Sequence, residues 1–301
     1  MQRGTVMSDT AANGPAGNAP RQGEQSGPGA VAVPEGLVSA VVHLVNTGPV
    51  LLGAYTAAEL TAVDAIVDFL ETRPSADVLA EAVRSLAARQ LLTAGSSGQQ
   101  VQVRGDLGIA VAFQQRARMV FDGRSTGTVP GEPWRILLLP QPERICLMVR
   151  IDALGVHELG LYTLDEALHF VANWLPRGEE ADPSTAVDPH ALLASSERSA
   201  LITVTRYTTQ GSAEIAGDST DLILARHNGR LHVFSREPTE RATLAPRPLD
   251  GKDVRETLTL MLGPSPGEPQ LPRRWRCGAV IGTGARSSIH FRDCDSTLGN
   301  I

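Results

Sequence analysis

Apolar residues change their spacing partway along this chain. From Leu60 to Phe113 they recur at helical intervals. From Arg135 onward they come in the short runs and alternations of strands. Such a chain is neither all helix nor all sheet, so an α+β fold is expected.

In the helical part, Thr56 and Glu59 have capping-box spacing ahead of Leu60, Val63, Ile66, Val67 and Leu70. Pro74 stops that helix. Ser75 can cap a second one, with Val78, Leu79, Ala82, Val83 and Leu86 on one side. Leu91–Thr93 and Val101–Val103 read as short strands around Gly95–Gly98. Leu107, Ile109, Ala110, Val111 and Phe113 mark a further helix. Helix, helix, hairpin is the order at the end of a winged-helix module, so residues 37–121 are expected to form a helical, winged-helix-like region.

A Gly/Thr/Pro-rich stretch, Asp122–Pro133, reads as a linker. After it come three expected strands, Arg135–Leu139, Ile145–Ile151 and His157–Tyr162. A helix follows, opened by Thr163 and Glu166 and stopped by Pro176. Arg177–Pro189 reads as a second linker and His190–Ser196 as a short helix. Ala200–Tyr207 is then a strand, and Asp221–His227 with Arg230–Phe234 form a hairpin around Asn228-Gly229. Arg241–Ala245 is a last strand, and Asp250 can cap a last helix through Leu262. The expectation is an antiparallel sheet region with two strand–helix repeats, 134–176 and 190–263. Residues 1–36 and 264–301 are too poor in periodic apolar residues to offset ordering entropy, and read as a disordered arm and tail.

Composition narrows the class. Hydrophobic residues are 42% and aromatics 4%, so the core rests on Leu, Val, Ile and Ala. The longest apolar stretches, Leu37–Val45 and Ile136–Leu139, fall far short of the roughly 20 residues of a membrane helix. No apolar signal segment opens the chain, and Cys146, Cys277 and Cys294 make no disulfide framework; a cytoplasmic protein is expected. The net charge of −6 does not favour nucleic acid. Lys252 is the single lysine, a bias towards arginine that fits a GC-rich genome.

Chemistry-bearing motifs are few. The seven histidines make no HxH or HExxH pair. His227 and His232 would be diagonal neighbours on the hairpin, half of a metal site without further ligands. Gly282-Thr283-Gly284 lacks a third glycine, and neither a P-loop nor a GxSxG elbow occurs. No catalytic residue, cofactor or metal is assigned. Arg273-Arg274-Trp275-Arg276 is a short basic cluster in the tail. On the second helix Arg84 and Arg89 would be the DNA-facing residues of a winged-helix regulator, but Asp77 and Glu81 oppose them, and the hairpin Thr93–Gln102 carries no cation.

Two segments carry a family resemblance. Arg84–Leu92 is similar to the helix and following turn of the ESX (type VII) secretion-associated EspG family of actinobacteria, with Gln90 where that family has glycine. Asp221–Phe234 followed by Pro246–Leu262 is similar to its closing hairpin and last helix. The resemblance covers Leu37–Gly263 in order of elements. It implies helical bundles on a sheet of two related halves, and a cytosolic chaperone that binds substrate heterodimers before export.

The leading expectation is therefore a non-enzymatic adaptor or chaperone for another polypeptide, with no membrane partner. Its contact surface would be exposed apolar residues of the sheet, Ile223, Ala225 and Phe234. Two alternatives stand beside it. One is a DNA-binding regulator using Arg84 and Arg89. The other is an auxiliary protein or enzyme of an actinobacterial secondary-metabolite pathway, whose mark would be a deep pocket converging on His157, His169 or His227.

Overall fold

A computed structural model describes residues 33–65, 73–94, 101–182, 188–210, 213–236 and 243–263. Its elements begin with α1 (Glu35–Val45), β1 (Val50–Thr56), α2 (Ala57–Ala62), α3 (Ala76–Ala88), β2 (Leu92–Ala94), β3 (Val101–Val103) and α4 (Gly105–Arg116). Then come β4 (Met119–Thr126), β5 (Arg135–Pro140), β6 (Ile145–Ile151), β7 (Val156–Thr163) and α5 (Leu164–Trp174). The chain continues with β8 (Glu179–Glu180), α6 (Pro189–Ser195), β9 (Arg198–Gln210), β10 (Ala213–His227), β11 (Arg230–Arg236), β12 (Leu244–Pro246) and α7 (Val254–Met261).

Nine strands follow one antiparallel path, β1-β7-β6-β5-β4-β9-β10-β11-β12, and β8 adds a short parallel pairing to β11. Mixed helix and antiparallel sheet is the α+β class expected. β5 and β6 are almost wholly apolar because both their faces are covered, the condition that turns alternation into a continuous hydrophobic run. On one face Leu137, Leu139, Leu147 and Val149 share a core with Val45 of α1, Leu60 of α2 and Phe113 of α4. On the other, Ile136, Leu138, Cys146 and Met148 share a core with Leu168 and Val171 of α5 and with Leu258 and Met261 of α7. A third, smaller cluster packs Leu192 of α6 onto β10 and β11.

Several expectations are corrected. Asp122–Pro133 is not a linker throughout, since Asp122–Thr126 belong to β4 and pair with β9, and Asp122–Arg124 pair with β5 as well. Its polar sequence is tolerated because Asp122 is gripped by Arg135 across the ladder, and Gly123 leaves room for Phe121 and Trp174. Helix α2 ends at Ala62, where Asp64 turns to a φ of 54°; Ile66, Val67 and Leu70 lie outside the described residues. Helix α3 buries only Ala82 and Leu86, leaving Val78 and Val83 50% and 42% exposed. The cap of α7 is Asp253, in a capping box with Glu256. Asp250 instead joins Gly251 in a tight turn, with φ of 54° and 76°, closed by Lys252 N–H on Leu249 O at 3.0 Å.

Other expectations hold. The capping boxes at Thr56 and Thr163 are formed. Asn228 and Gly229 both have positive φ, as a type I′ turn requires, and His227 pairs with Arg230 across it. Residues 1–32 and 264–301 lie outside the described residues, and with them Cys277, Cys294, His290, the basic cluster and the Gly282–Gly284 motif. Glu35 and Gly36, placed in the expected arm, begin α1.

Candidate functional site

The candidate site is a groove of about 740 Å³ beside α5. Its position follows from how α5 is laid down. The Thr163–Glu166 capping box fixes the entry, and Ala167, Leu168, Val171 and Trp174 turn onto the sheet. That leaves Asp165, Glu166, His169 and Asn173 outward, and Phe170 half-buried on the flank.

The floor comes from the sheet. Gly160 of β7 sits between Met148 of β6 and Leu51 of β1, so all three share the α5 face. A Cβ on Gly160 would stand 2.9 Å from the ring of Tyr162, so the ring lies folded over the glycine. Arg150 rises from β6, ion-pairs with Glu158 across the ladder, and stands 5.3 Å from the centre of the Phe170 ring. Pro49, Gly131, Glu132 and Pro133 wall the groove, and Arg255 of α7 adds a cation. The wall is tied down by Trp174 Nε1, which donates to Pro133 O at 2.8 Å, and by Arg198, which bonds Glu132 at 2.9 Å and Trp174 O at 2.6 Å.

Apart from Arg255, the polar side chains here are engaged with neighbours. His169 Nε2 lies 2.9 Å from Asn173 Nδ2, and Asn173 Oδ1 accepts from Arg177. Asp165 pairs with Arg144 at 3.3 Å, and Glu166 closes the cap of α5. Burial pushes the Tyr162 phenol above its ordinary range, with Glu158 and Glu166 acting in the same sense and Arg150 against it. It therefore stays protonated at neutral pH and cannot serve as a base. What remains available is an aromatic and apolar surface with both signs of charge on its rim.

The histidines do not converge. His169 alone lines the groove. His157 is buried at the start of β7 with Nδ1 2.9 Å from Gly155 O, and burial drives its pKa down. His227 and His232 do meet on the hairpin, their rings 6.3 Å apart. Burial, then the charges of His227 and Arg230, lower the pKa of His232. Among the described residues no group of three or more His, Cys, Asp or Glu side chains could hold a metal ion.

The expected contact residues Ile223, Ala225 and Phe234 are 6%, 0% and 4% exposed. The expected apolar exposure is thus absent, because Leu192 and Leu193 of α6 cover them. The signal was there in His190–Ser196, read as a helix without a place to pack. Arg84 ion-pairs with Glu81. Arg89 bonds Glu59 at 2.9 Å and stands 5.3 Å from the centre of the Tyr55 ring. Glu59 is itself 6% exposed and also accepts from Ser85 Oγ at 2.8 Å, so Arg89 helps to fasten α3 to α2.

Sequence reasoning missed β1 and the groove together. Val50–Thr56 alternates poorly because a bulge lies between Leu51 and Gly53, and Leu51 is left 61% exposed at the sheet edge. No family model matches the chain, and no match was found among the curated proteins. Among the described residues, no helix is long and apolar enough to cross a membrane.

Proposed function

We propose that this chain is a non-enzymatic, cytoplasmic adaptor or chaperone that holds a segment of another polypeptide in the groove beside α5. The observation that carries this reading is the lining. Tyr162, Phe170, Trp174, Pro49 and Pro133 supply apolar surface, and Leu51, outside the lining but exposed on the same sheet face, lies towards the edge. Most of the polar groups around it, Arg255 excepted, are paired with neighbours, which suits contact rather than bond chemistry.

The mode favoured is an amphipathic helix laid in the groove rather than a strand added to β1. A bulge between Leu51 and Gly53 interrupts that edge and breaks the regular ladder an added strand would extend. Arg150 and Arg255 on one hand and Asp165 and Glu166 on the other would set the partner's register.

The more specific form of the proposal is an EspG-like chaperone with a sheet of two related halves. It is supported by the order of elements: β4-β5-β6-β7-α5 and β9-β10-β11-β12-α7 are each a meander followed by a capping-boxed helix, and they meet at the antiparallel β4–β9 pair.

The test is affinity purification of the full chain from its native source, unaltered and as Leu51→Glu/Phe170→Glu. A polypeptide that co-purifies in fixed ratio should be lost from the double variant and kept by Leu154→Glu, a change at an 88% exposed turn residue. Retention by the double variant refutes the reading.

A further inference from the structure

A second pocket, of about 260 Å³, lies on the α7 side of the molecule and has a different character. Three cations line it: Arg206 of β9, and Arg247 and Lys252 at the two ends of the connection from β12 to α7. Thr220 of β10 and Thr257 of α7 add hydroxyls, and among the described residues Asp250 is its one carboxylate.

Arg206 is held in place, its Nη2 donating to Met261 O at 2.8 Å and Gly263 O at 2.7 Å. Arg247 and Lys252 are different. Several guanidiniums elsewhere in this protein are matched with acids, as at Arg84, Arg89, Arg116, Arg135, Arg150 and Arg198, though within the described residues Arg104 and Arg255 are not. The side chains of Arg247 and Lys252 have no ion pair or hydrogen bond among the described residues. Asp250 stands on the same rim without closing on either. Their placement is fixed by the backbone: Arg247 N–H is bonded to Val233 O at 2.9 Å, and the Leu249–Lys252 turn closes at 3.0 Å. Two unneutralised cations are thus presented by a tight turn over a third that is locked to α7.

We propose that this pocket binds a phosphate group. Three cations against one carboxylate leave a net positive charge of two, which matches the charge of roughly −1.5 to −2 that a phosphate monoester carries at neutral pH. A guanidinium offers paired donors to its oxygens, and the lysine offers a point charge. The volume is several times the roughly 30 Å³ of a water molecule, enough for a tetrahedral oxyanion and its hydration but small for a whole nucleotide.

Lys252 being the chain's only lysine gives a direct test. The full chain is treated with an amine-acylating reagent at constant ionic strength, with chloride, inorganic phosphate or O-phosphoserine present, and acylation of Lys252 is followed by peptide mass spectrometry. Free lysine in the same tube controls for the reagent. Phosphate at roughly ten times its half-saturation concentration should slow Lys252 acylation by roughly tenfold. Arg247→Gln, a change at a partly exposed site, should abolish the protection. Protection by inorganic phosphate alone assigns the pocket to the free ion, and protection by O-phosphoserine as well assigns it to monoesters. Equal rates in chloride and in both phosphates, or undiminished protection in Arg247→Gln, overturns the proposal.

Discussion

Arg135 is only 2% exposed, yet it carries a full charge inside the sheet. Its Nε and Nη2 reach the two oxygens of Asp122, each at 2.8 Å, across the β4–β5 ladder. A bidentate pair of this kind adds little net stability but is costly to break from one side. Asp122→Ala should lower the unfolding free energy by about 3–5 kcal/mol in chemical denaturation, and Asp122→Leu/Arg135→Leu should lose less than that single change. His157 supplies a pH signature from the same region. Its ordinary value is 6.5, and burial holds the folded form lower, with Arg135 also opposing the charge and the Gly155 and Tyr55 carbonyls favouring it. Between the lowered value and 6.5 the unfolded chain binds more protons than the folded one, so stability falls as the pH drops through that window. His157→Gln should flatten the fall, read as the difference in melting temperature between the two proteins from pH 7 downward. Neither residue could be read as a core group in advance. The Arg135–Asp122 pair spans 13 positions and two strands, and Asp122 sits in a run that resembles a loop.

At the scale of elements, caps and turns were legible because their chemistry is local. Thr56–Glu59, Thr163–Glu166 and Asn228-Gly229 each declare themselves within four residues. Asp250 was mistaken for a cap because Asp-Gly serves a turn as readily, and the true Asp253–Glu256 box begins three residues later. What was not legible is a device used on three strands. An aromatic ring folds over a glycine two positions away: Tyr55 over Gly53, Phe121 over Gly123 and Tyr162 over Gly160. A glycine in a strand reads as a breaker, but here the ring covers the gap it leaves. Gly160→Ala should therefore cost about 1–3 kcal/mol by forcing the Tyr162 ring away. Gly36→Ala, in helix α1 with open space around it, should hold or gain stability. Urea titration of the two variants separates these outcomes. Because Tyr162 lines the groove, the first substitution should also weaken the proposed partner contact.

The whole molecule is a long antiparallel sheet with helices on both faces, and that layering decides where a partner can bind. The apolar runs of β5 and β6 were legible as strands, and the structure shows both their faces covered. They did not say which strands lie at its ends, because strand order is a long-range property. Hence β10 and β11, whose Ile223, Ala225 and Phe234 looked available, are covered by α6, while Leu51 at the opposite end stays open. The functional reading moves from the second half of the sheet to the groove between α5 and the β7–β1 edge. Arg89, the DNA-facing candidate, is drawn into the α2–α3 joint, which leaves that alternative weaker. The groove beside α5 is the proposed docking surface for another polypeptide. The most direct measurement of that docking places a photo-reactive amino acid at Phe170 in the native cell, with Leu154 as the exposed comparison site. A single discrete protein adduct from Phe170 and none from Leu154 is the predicted result; no adduct at Phe170, or the same products from both positions, would contradict it.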